Sequence, residues 1–579
     1  MTEKARQVHQ VVIDRNVPVT MRDGIRLMAD VYRPASPGKY PVILERTPYD
    51  KTASSETRLG TGEYFASRGY VAVFQDVRGR FASEGDFYPF RDDGAGPRMD
   101  GYDTVEWCAA QAWSNGRVGT IGGSYSGATQ YRMLETRPPH LVCQFVRQSS
   151  SDYHNEWVYR SGAFELEFNL SWSVRHTATH AARLAKPGDT GQHKAMMDEA
   201  VAGLPSLIER LPLRPMPPMQ GHSPWFDDWM NNPDDGPYWH DVSIARRHHD
   251  VDTPVYHLGS WYDGFLRGTV ENYIGMRKSA RSEMARNGQS LIIGPWVHGP
   301  DAPDTSKVGE VDFGPEAAIG FNKTRLRWYD YWLKDIANGV LDALAVRVFT
   351  MGTNTWQEFE DWPPAAVRYT PLYLMGGVSG TAKSLNDGKL ALSSPDAAET
   401  PDSYTYDPLD PVPTLGGGFL GTKNGPYDQR PVEHRVLTYT GSPLEKDLQI
   451  TGPVRAILFA QSSARDTDWV VRVTDVSPDG RSMLVCDGVL RARYRNSRER
   501  PELLDGKVER YEVDLWSTSY VFMKGHRIRI AVTSSCFPRW DRNMNTGGHN
   551  VSESHGVKAL NTVFHDSSRP SHVLLPVIP

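Results

Sequence analysis

The stretch "GRVGTIGGSYSGATQYRMLE" (116–135) constrains the chain more than any other. An apolar strand run, "RVGTIG", passes through a knot of small residues straight into a helical run, "TQYRMLE". Such a strand–turn–helix unit belongs to a parallel sheet whose crossovers are helices. The neighbouring sequence repeats the theme. "YPVILERTPYD" (40–50) and "GYVAVFQDVRG" (69–79) are continuous apolar strand runs, and "DGYDTVEWCAAQAW" (100–113) has helical spacing at Tyr102, Val105, Trp107 and Ala109. Upstream, "VPVTMRDGIRLMADVYRP" is a hairpin turning at Arg22-Asp23-Gly24.

From 151 to 250 the texture changes to helical and proline-rich segments, such as "KAMMDEAVAGLPSLIERL" and "LRPMPPMQGHSPWFDDW". Strand runs return at "TPVYHLGSWYDG" (253–264) and "QSLIIGPWVHGP" (289–300), so 151–250 reads as an insertion capping the active edge. "KTRLRWYDYWLKDIANG" (323–339) predicts a helix with Leu326, Tyr329, Leu333 and Ile336 on one face. Beyond 340 come short alternating strands, "ALAVRVFTMG" among them, with a long Gly/Ser/Pro-rich connection over 376–404. The expected organisation is an α/β domain (1–150 and 251–339), a helical cap (151–250) and an all-β jelly roll (340–579).

In such sheets functional groups sit where strands end. Ser124 lies between strand and helix with small neighbours at Gly122 and Ser126, as a nucleophile on a sharp turn requires. Ser126 falls in the first helical turn, where serine is a common cap. A serine needs a base, and the base a carboxylate. Asp263 and His298 each follow a strand end, in the order Ser, Asp, His. The Tyr125 amide supplies one oxyanion donor, and Tyr49, on the loop after "PVIL", is the candidate for the second.

The stretches "MRDGIRLMADVYRP", "RTPYDK", "FQDVRGRFASEGDF", "WSNGRVGTIGGSYSGATQ", "GSWYDGF", "IGPWVHG", "RWYDYWLK", "DPLDPVPTLGG" and "FPRWDRNMNTG" together resemble the cocaine esterase-like (CocE/NonD) branch of the α/β-hydrolases, related to X-Pro dipeptidyl-peptidases. That family's elbow, Gly-x-Ser-Tyr-x-Gly, is met by Gly122, Ser124, Tyr125 and Gly127. The resemblance implies Ser124, Asp263 and His298 as triad, Tyr49 and Tyr125 as oxyanion donors, and a galactose-binding-like fold for the jelly roll. It also implies an acyl pocket of Trp157, Trp172 and Phe265, with Phe419 and Leu420 added from "PTLGGGFL".

The expected activity is hydrolysis of carboxylic esters with an apolar or aromatic acyl group, through an acyl-enzyme. The rival is an amidase, acylase or X-Pro-type dipeptidyl peptidase, for which Glu156, Glu165 and Glu167 are the cap carboxylates available to hold a substrate ammonium. Asp76 and Arg78 are expected as an ion pair bracing the active-edge loops, "RRHHD" (246–250) as a solvated turn, and "FPRWDRN" (537–543) as a loop fixing the jelly roll to the hydrolase domain.

Composition trims the alternatives. The 579 residues are too many for one domain. A net charge of −6 without a long basic run speaks against nucleic acid. The four cysteines lie far apart, so reduced, buried thiols are expected, with no metal or other cofactor. No apolar run suits a leader or a membrane span, which predicts a cytoplasmic protein acting on a small-molecule ester or amide; a homodimer is left open.

Overall fold

The structure, a computed structural model, describes residues 8–53, 56–180 and 191–579. Its first sheet holds β1 (Val11–Thr20), β2 (Arg26–Pro34), β3 (Tyr40–Thr47), β4 (Val71–Asp76), β5 (Ser114–Gly123), β6 (Leu141–Arg147), β7 (Val255–Tyr262), β8 (Ser290–Val297), β9 (Val346–Thr350) and β10 (Thr355–Phe359). They lie in the order β1-β2-β4-β3-β5-β6-β7-β8-β9-β10. The block from β4 to β9 is parallel, and antiparallel strands close both edges. The run "ALAVRVFTMG", expected in the all-β domain, instead forms β9 and extends the first sheet beside β8.

Parallel strands are buried on both faces, so alternate side chains serve different cores. Val42, Leu44 and Val73 pack with Val105 and Tyr131 on one face. Ile43, Ala72 and Phe74 pack with Phe65 and Tyr329 on the other. The first face is covered by α2 (Asp100–Ala110) and α3 (Tyr125–Leu134), the second by α1 (Glu56–Ala66) and the helix Phe321–Lys334. Two periodicity readings shift. The buried stripe of α2 is Gly101, Thr104, Val105 and Cys108, leaving Tyr102, Trp107 and Ala109 half-buried. The helix predicted over 323–339 stops at Lys334, because Asp335 turns left-handed (φ 53°) and caps it, which leaves Ile336 exposed.

Between β6 and β7 the chain builds the cap. It contains a short hairpin (Tyr159–Arg160 with Ala163–Phe164), α4 (Leu166–Ala178) and further helices at Gln192–Ala202, Leu204–Glu209, Pro224–Asn231 and Pro237–His240. Its core is aromatic: Trp157, Trp172, Trp225, Trp229, Trp239 and Phe168 share one cluster. "RRHHD" is not wholly solvated. His248 is buried against Asn272 Oδ1 at 2.9 Å, and burial pulls its pKa below the ordinary value.

The C-terminal part is all-β, twelve strands around a core that includes Trp469, Val471, Val513 and Leu575. The 376–404 connection carries one of its strands, Gly388–Ala391. The "FPRWDRN" loop does fasten this domain, and what it grips is the cap. The Leu166 amide donates to Arg539 O at 2.9 Å, and Trp540 Nε1 donates to Glu165 at 2.9 Å. Asp541 accepts from the Phe164 amide at 2.8 Å and pairs with Arg491, also at 2.8 Å. Among the described residues no helix is long and apolar enough to cross a membrane. The four cysteines are unbridged.

Asp541→Ala leaves Arg491 paired with Asp468 at 2.9 Å, but it strands the buried Phe164 amide that donates to Asp541, and an unsatisfied buried donor costs about 1–3 kcal/mol. Asp541→Ala should therefore lower the calorimetric melting temperature clearly; an unchanged melting curve would show that the loop carries no load.

Candidate active site

The turn at Ser124 is held in a conformation L-residues avoid, φ 57° and ψ −125°, directly between β5 and α3. The Ser124 amide donates to the carbonyls of Arg147 and Gln148, both at 3.1 Å. Space forces the small residues. A Cβ added at Gly122 (φ 138°) would lie 2.5 Å from the Ser126 Cβ, and one at Gly127 would lie 2.6 Å from the Ser149 Cβ. Ser124 remains half-buried, whereas Ser126 is 1% exposed within the first turn of α3.

Asp263 and His298 are the first residues after β7 and β8. Because those strands are neighbours, the two side chains meet: His298 Nδ1 lies 2.9 Å from Asp263 Oδ1. Asp263 is fully buried, and its Oδ1 also accepts from the Phe265 amide at 3.2 Å. A carboxylate on Nδ1 fixes the tautomer that leaves Nε2 as the acceptor. The Phe265 ring stands edge-on to the imidazole, 5.3 Å away.

The main chain on either side of His298 is gripped by a residue that the strand-end argument does not reach. Gln148 Nε2 donates to Val297 O at 2.7 Å, and its Oε1 accepts from the Gly299 amide at 3.1 Å. Nε2 also donates to Ser260 Oγ at 2.7 Å. Arg147 adds hydrogen bonds to Gly299 O and to Gln148 Oε1. Arg147 ends β6 and Gln148 follows it, so their position at the same edge is readable in the sequence; their grip on the histidine loop is not.

Tyr49 follows β3 by two residues. Its hydroxyl lies 3.4 Å from Ser124 Oγ and 3.4 Å from Trp172 Nε1 of α4. Its loop is pinned twice: Lys51 pairs with Asp76 at 3.1 Å, and Arg80 Nε donates to Pro48 O at 3.0 Å. Arg80 also donates to His176 O of the cap at 2.9 Å. This replaces the expected Asp76–Arg78 pair, since Arg78 turns instead to Asp100 and Asp23 at 2.6 and 2.8 Å. Burial raises the Asp76 pKa against the pull of Lys51. Burial first, and then the nearby Arg80 charge, keep His176 neutral. Tyr125 brings its backbone to the turn, because its own hydroxyl accepts from the Phe90 amide at 2.9 Å.

Ser124, Tyr49 and His298 border one cavity of about 810 Å³. Trp172 and Leu420 line it, and so does Phe168, one turn before Trp172 on α4, a spacing that puts both on one face. Trp157, Phe265 and Phe419 do not line it. They are at most 1% exposed, and Trp157 stacks on Phe265 with centroids 4.5 Å apart. The three cap carboxylates are engaged elsewhere. Glu156 accepts from Ser150 and Ser151, Glu165 pairs with Arg160, and Glu167 accepts from Thr422.

The fold and this edge define the class: an α/β-hydrolase carrying a C-terminal all-β domain, and a serine ester hydrolase. The family model of X-Pro dipeptidyl-peptidase (S15 family) matches residues 23–300, and that of the X-Pro dipeptidyl-peptidase C-terminal non-catalytic domain matches 338–574. The cocaine esterase of Rhodococcus sp. (strain MB1 Bresler) is 37% identical over 97% of this chain and 98% of its own. The chain belongs to the cocaine esterase-like (CocE/NonD) family. Two solved structures share the whole architecture. An aminopeptidase from a marine sediment Thaumarchaeota archaeon has a TM-score of 0.82 at 26% identity, covering 100% of this chain and 98% of that one. An alpha-amino acid ester hydrolase has a TM-score of 0.81 at 27% identity, covering 99% and 98%.

A misplacement of about 1 Å in a catalytic group can lower turnover roughly 100-fold. Gln148→Met, which deletes the grip on Val297 and Gly299, should lower kcat on esters by roughly 10- to 100-fold while moving KM little. Steady-state kinetics below the variant's melting temperature read this; wild-type kcat would mean that Asp263 alone positions His298.

Proposed function

We propose that Ser124 is the nucleophile of an acyl-enzyme mechanism. His298 takes the Ser124 proton and later passes it to the leaving group, and Asp263 holds the imidazole and stabilises its charged form. The carbonyl oxygen of the tetrahedral intermediate is received by the Tyr49 hydroxyl and the Tyr125 amide. Water then repeats the attack on the acyl-enzyme and releases the acid. The observation that carries this reading is the strained Ser124 facing one cavity with an aspartate-held histidine and a tyrosyl hydroxyl 3.4 Å away.

The substrate in this reading is a carboxylic ester whose acyl group is apolar or aromatic. Phe168, Trp172 and Leu420 supply the wall that such a group needs. The relative named cocaine esterase points the same way. Amide cleavage by the same groups has less behind it. An exopeptidase of this plan needs a free carboxylate in the cap, and Glu156, Glu165 and Glu167 all have other partners.

Ser124→Ala should abolish turnover of 4-nitrophenyl esters and end labelling by a fluorophosphonate, while Ser126→Ala keeps both; the reverse pattern would move the nucleophile. Tyr49→Phe removes only a hydroxyl. Loss of one oxyanion donor lowers kcat by roughly 100- to 1,000-fold, with a smaller change in KM because the bond strengthens in the transition state. A Tyr49→Phe enzyme with full kcat on several esters would leave the tyrosine a packing residue.

A further inference from the structure

The cavity that holds Ser124 has a second character, away from Phe168 and Trp172. Arg325, on the helix Phe321–Lys334, lines it and is only 8% exposed. A buried guanidinium normally lies against a carboxylate, because an uncompensated charge in the interior is costly. Arg325 has no carboxylate within ion-pair distance among the described residues. Its side chain bonds to Asn322, its Nε has no hydrogen-bond partner, and its planar face is covered by the Phe321 ring at 4.1 Å. Burial draws its pKa down to about 10, so it stays a cation at neutral pH.

Arg147 is a second cation on the same wall. Its N–H groups are partly used on Gly299 O and Gln148, but its charge is not matched by an ion pair among the described residues. The acids that share the cavity act on this end through space, Glu45 on both arginines and Asp301 on Arg147, but none forms an ion pair with either among the described residues. Asp301 and Asp304 are exposed, and Asp304 accepts from the Phe321 amide at 2.9 Å. Glu45 also lines the cavity, beyond ion-pair distance of either arginine.

We propose that Arg325 binds an anionic group, a carboxylate, on the half of the ester remote from the aromatic wall. The inference rests on the ester-hydrolase reading and refines its substrate class from apolar esters to apolar esters that carry one carboxylate. Two features fit a carboxylate rather than a neutral polar group. Arg325 is a buried cation bonded to an amide oxygen rather than to a carboxylate, and guanidinium N–H groups match two oxygens in a plane. A substrate ammonium beside Arg325 would instead meet two cations, Arg325 and Arg147, neither of which is in an ion pair among the described residues.

The test compares each acid with its own methyl ester, with rates divided by those of hydroxide-catalysed hydrolysis so that differences in leaving-group reactivity cancel. Mono-4-nitrophenyl adipate places the carboxylate on the acyl half, and 4-acetoxybenzoate places it on the alcohol half. In one arm the wild-type kcat/KM should favour the acid over its methyl ester by roughly 10- to 100-fold, the range of a hydrogen bond to a charged partner. That arm should be 4-acetoxybenzoate, because the aromatic wall takes the acyl half; a preference confined to the adipate arm would overturn the placement. Arg325→Met should collapse that ratio, and Arg325→Lys should keep most of it. A wild-type ratio near or below one in both arms overturns the proposal and leaves ester hydrolysis standing. A preference that survives Arg325→Met removes Arg325 from the assignment. Should Arg325→Met not fold, the wild-type ratio and calorimetric binding of adipate, against dimethyl adipate, to Ser124→Ala decide the matter. Hydrolysis of no ester at all would instead defeat the underlying reading, while adipate binding would still report on the cationic site.

Discussion

Everything at the active edge follows from how closely β5 and α3 approach at Ser124. A residue at φ 57° and ψ −125° is tolerated only where its surroundings over-determine it. Here the Ser124 amide is bonded to the turn after β6, and Gly122 and Gly127 let Ser126 and Ser149 come within contact. Strain that would relax in an isolated peptide is thereby locked into position. The same bonds tie the elbow to Gln148, and through it to the flanks of His298. The serine and the histidine are thus referenced to one residue, Gln148, the first through its carbonyl and the second through its side chain, rather than to two independent loops.

The cap is part of this frame and more than a cover. Trp172 reaches the Tyr49 hydroxyl, and Arg80 joins the Tyr49 loop to the end of α4. The side chains around Ser124 therefore come mainly from four sources: the strand ends of the parallel sheet and the loops after them, the inserted helices, the helix Phe321–Lys334, and Leu420 of the all-β domain. The inserted helices, the helix Phe321–Lys334 and Leu420 can vary without moving the strand ends that hold Ser124, Asp263 and His298.

What the sequence makes legible is set by chain direction. Ser124, Asp263, His298 and Tyr49 stand at or just past the ends of unbroken apolar runs, and a parallel sheet brings all such ends to one edge. The β9 strand misleads for a related reason. Its alternation fits any antiparallel edge, and nothing local says which sheet receives it. The pairing of Asp76 with Lys51 instead of Arg78 depends on which loops face each other, and spacing carries no trace of that. Trp157 and Trp172 differ in the same way. Both are cap aromatics, but only the α4 face shared with Phe168 turns one of them to the cavity. The grip of Gln148 is invisible in sequence because a buried glutamine beside a strand looks like any other until its two partners are in place.

The fastening of the cap by Asp541 has a bearing on how the protein comes into being. The bond from the Phe164 amide to Asp541 joins residues 377 positions apart. During synthesis the cap hairpin leaves the ribosome long before its partner exists, and the parallel sheet can assemble first. Domains that emerge early generally fold as units, and contacts of such long range form last. The nascent enzyme therefore passes through a stage in which the serine edge is built but its roof is unlatched, with the Trp-rich cap waiting on the loop that carries Asp541. Chaperone binding and aggregation should concentrate in that interval, which makes this distant latch a checkpoint of biogenesis as well as a brace of the finished site.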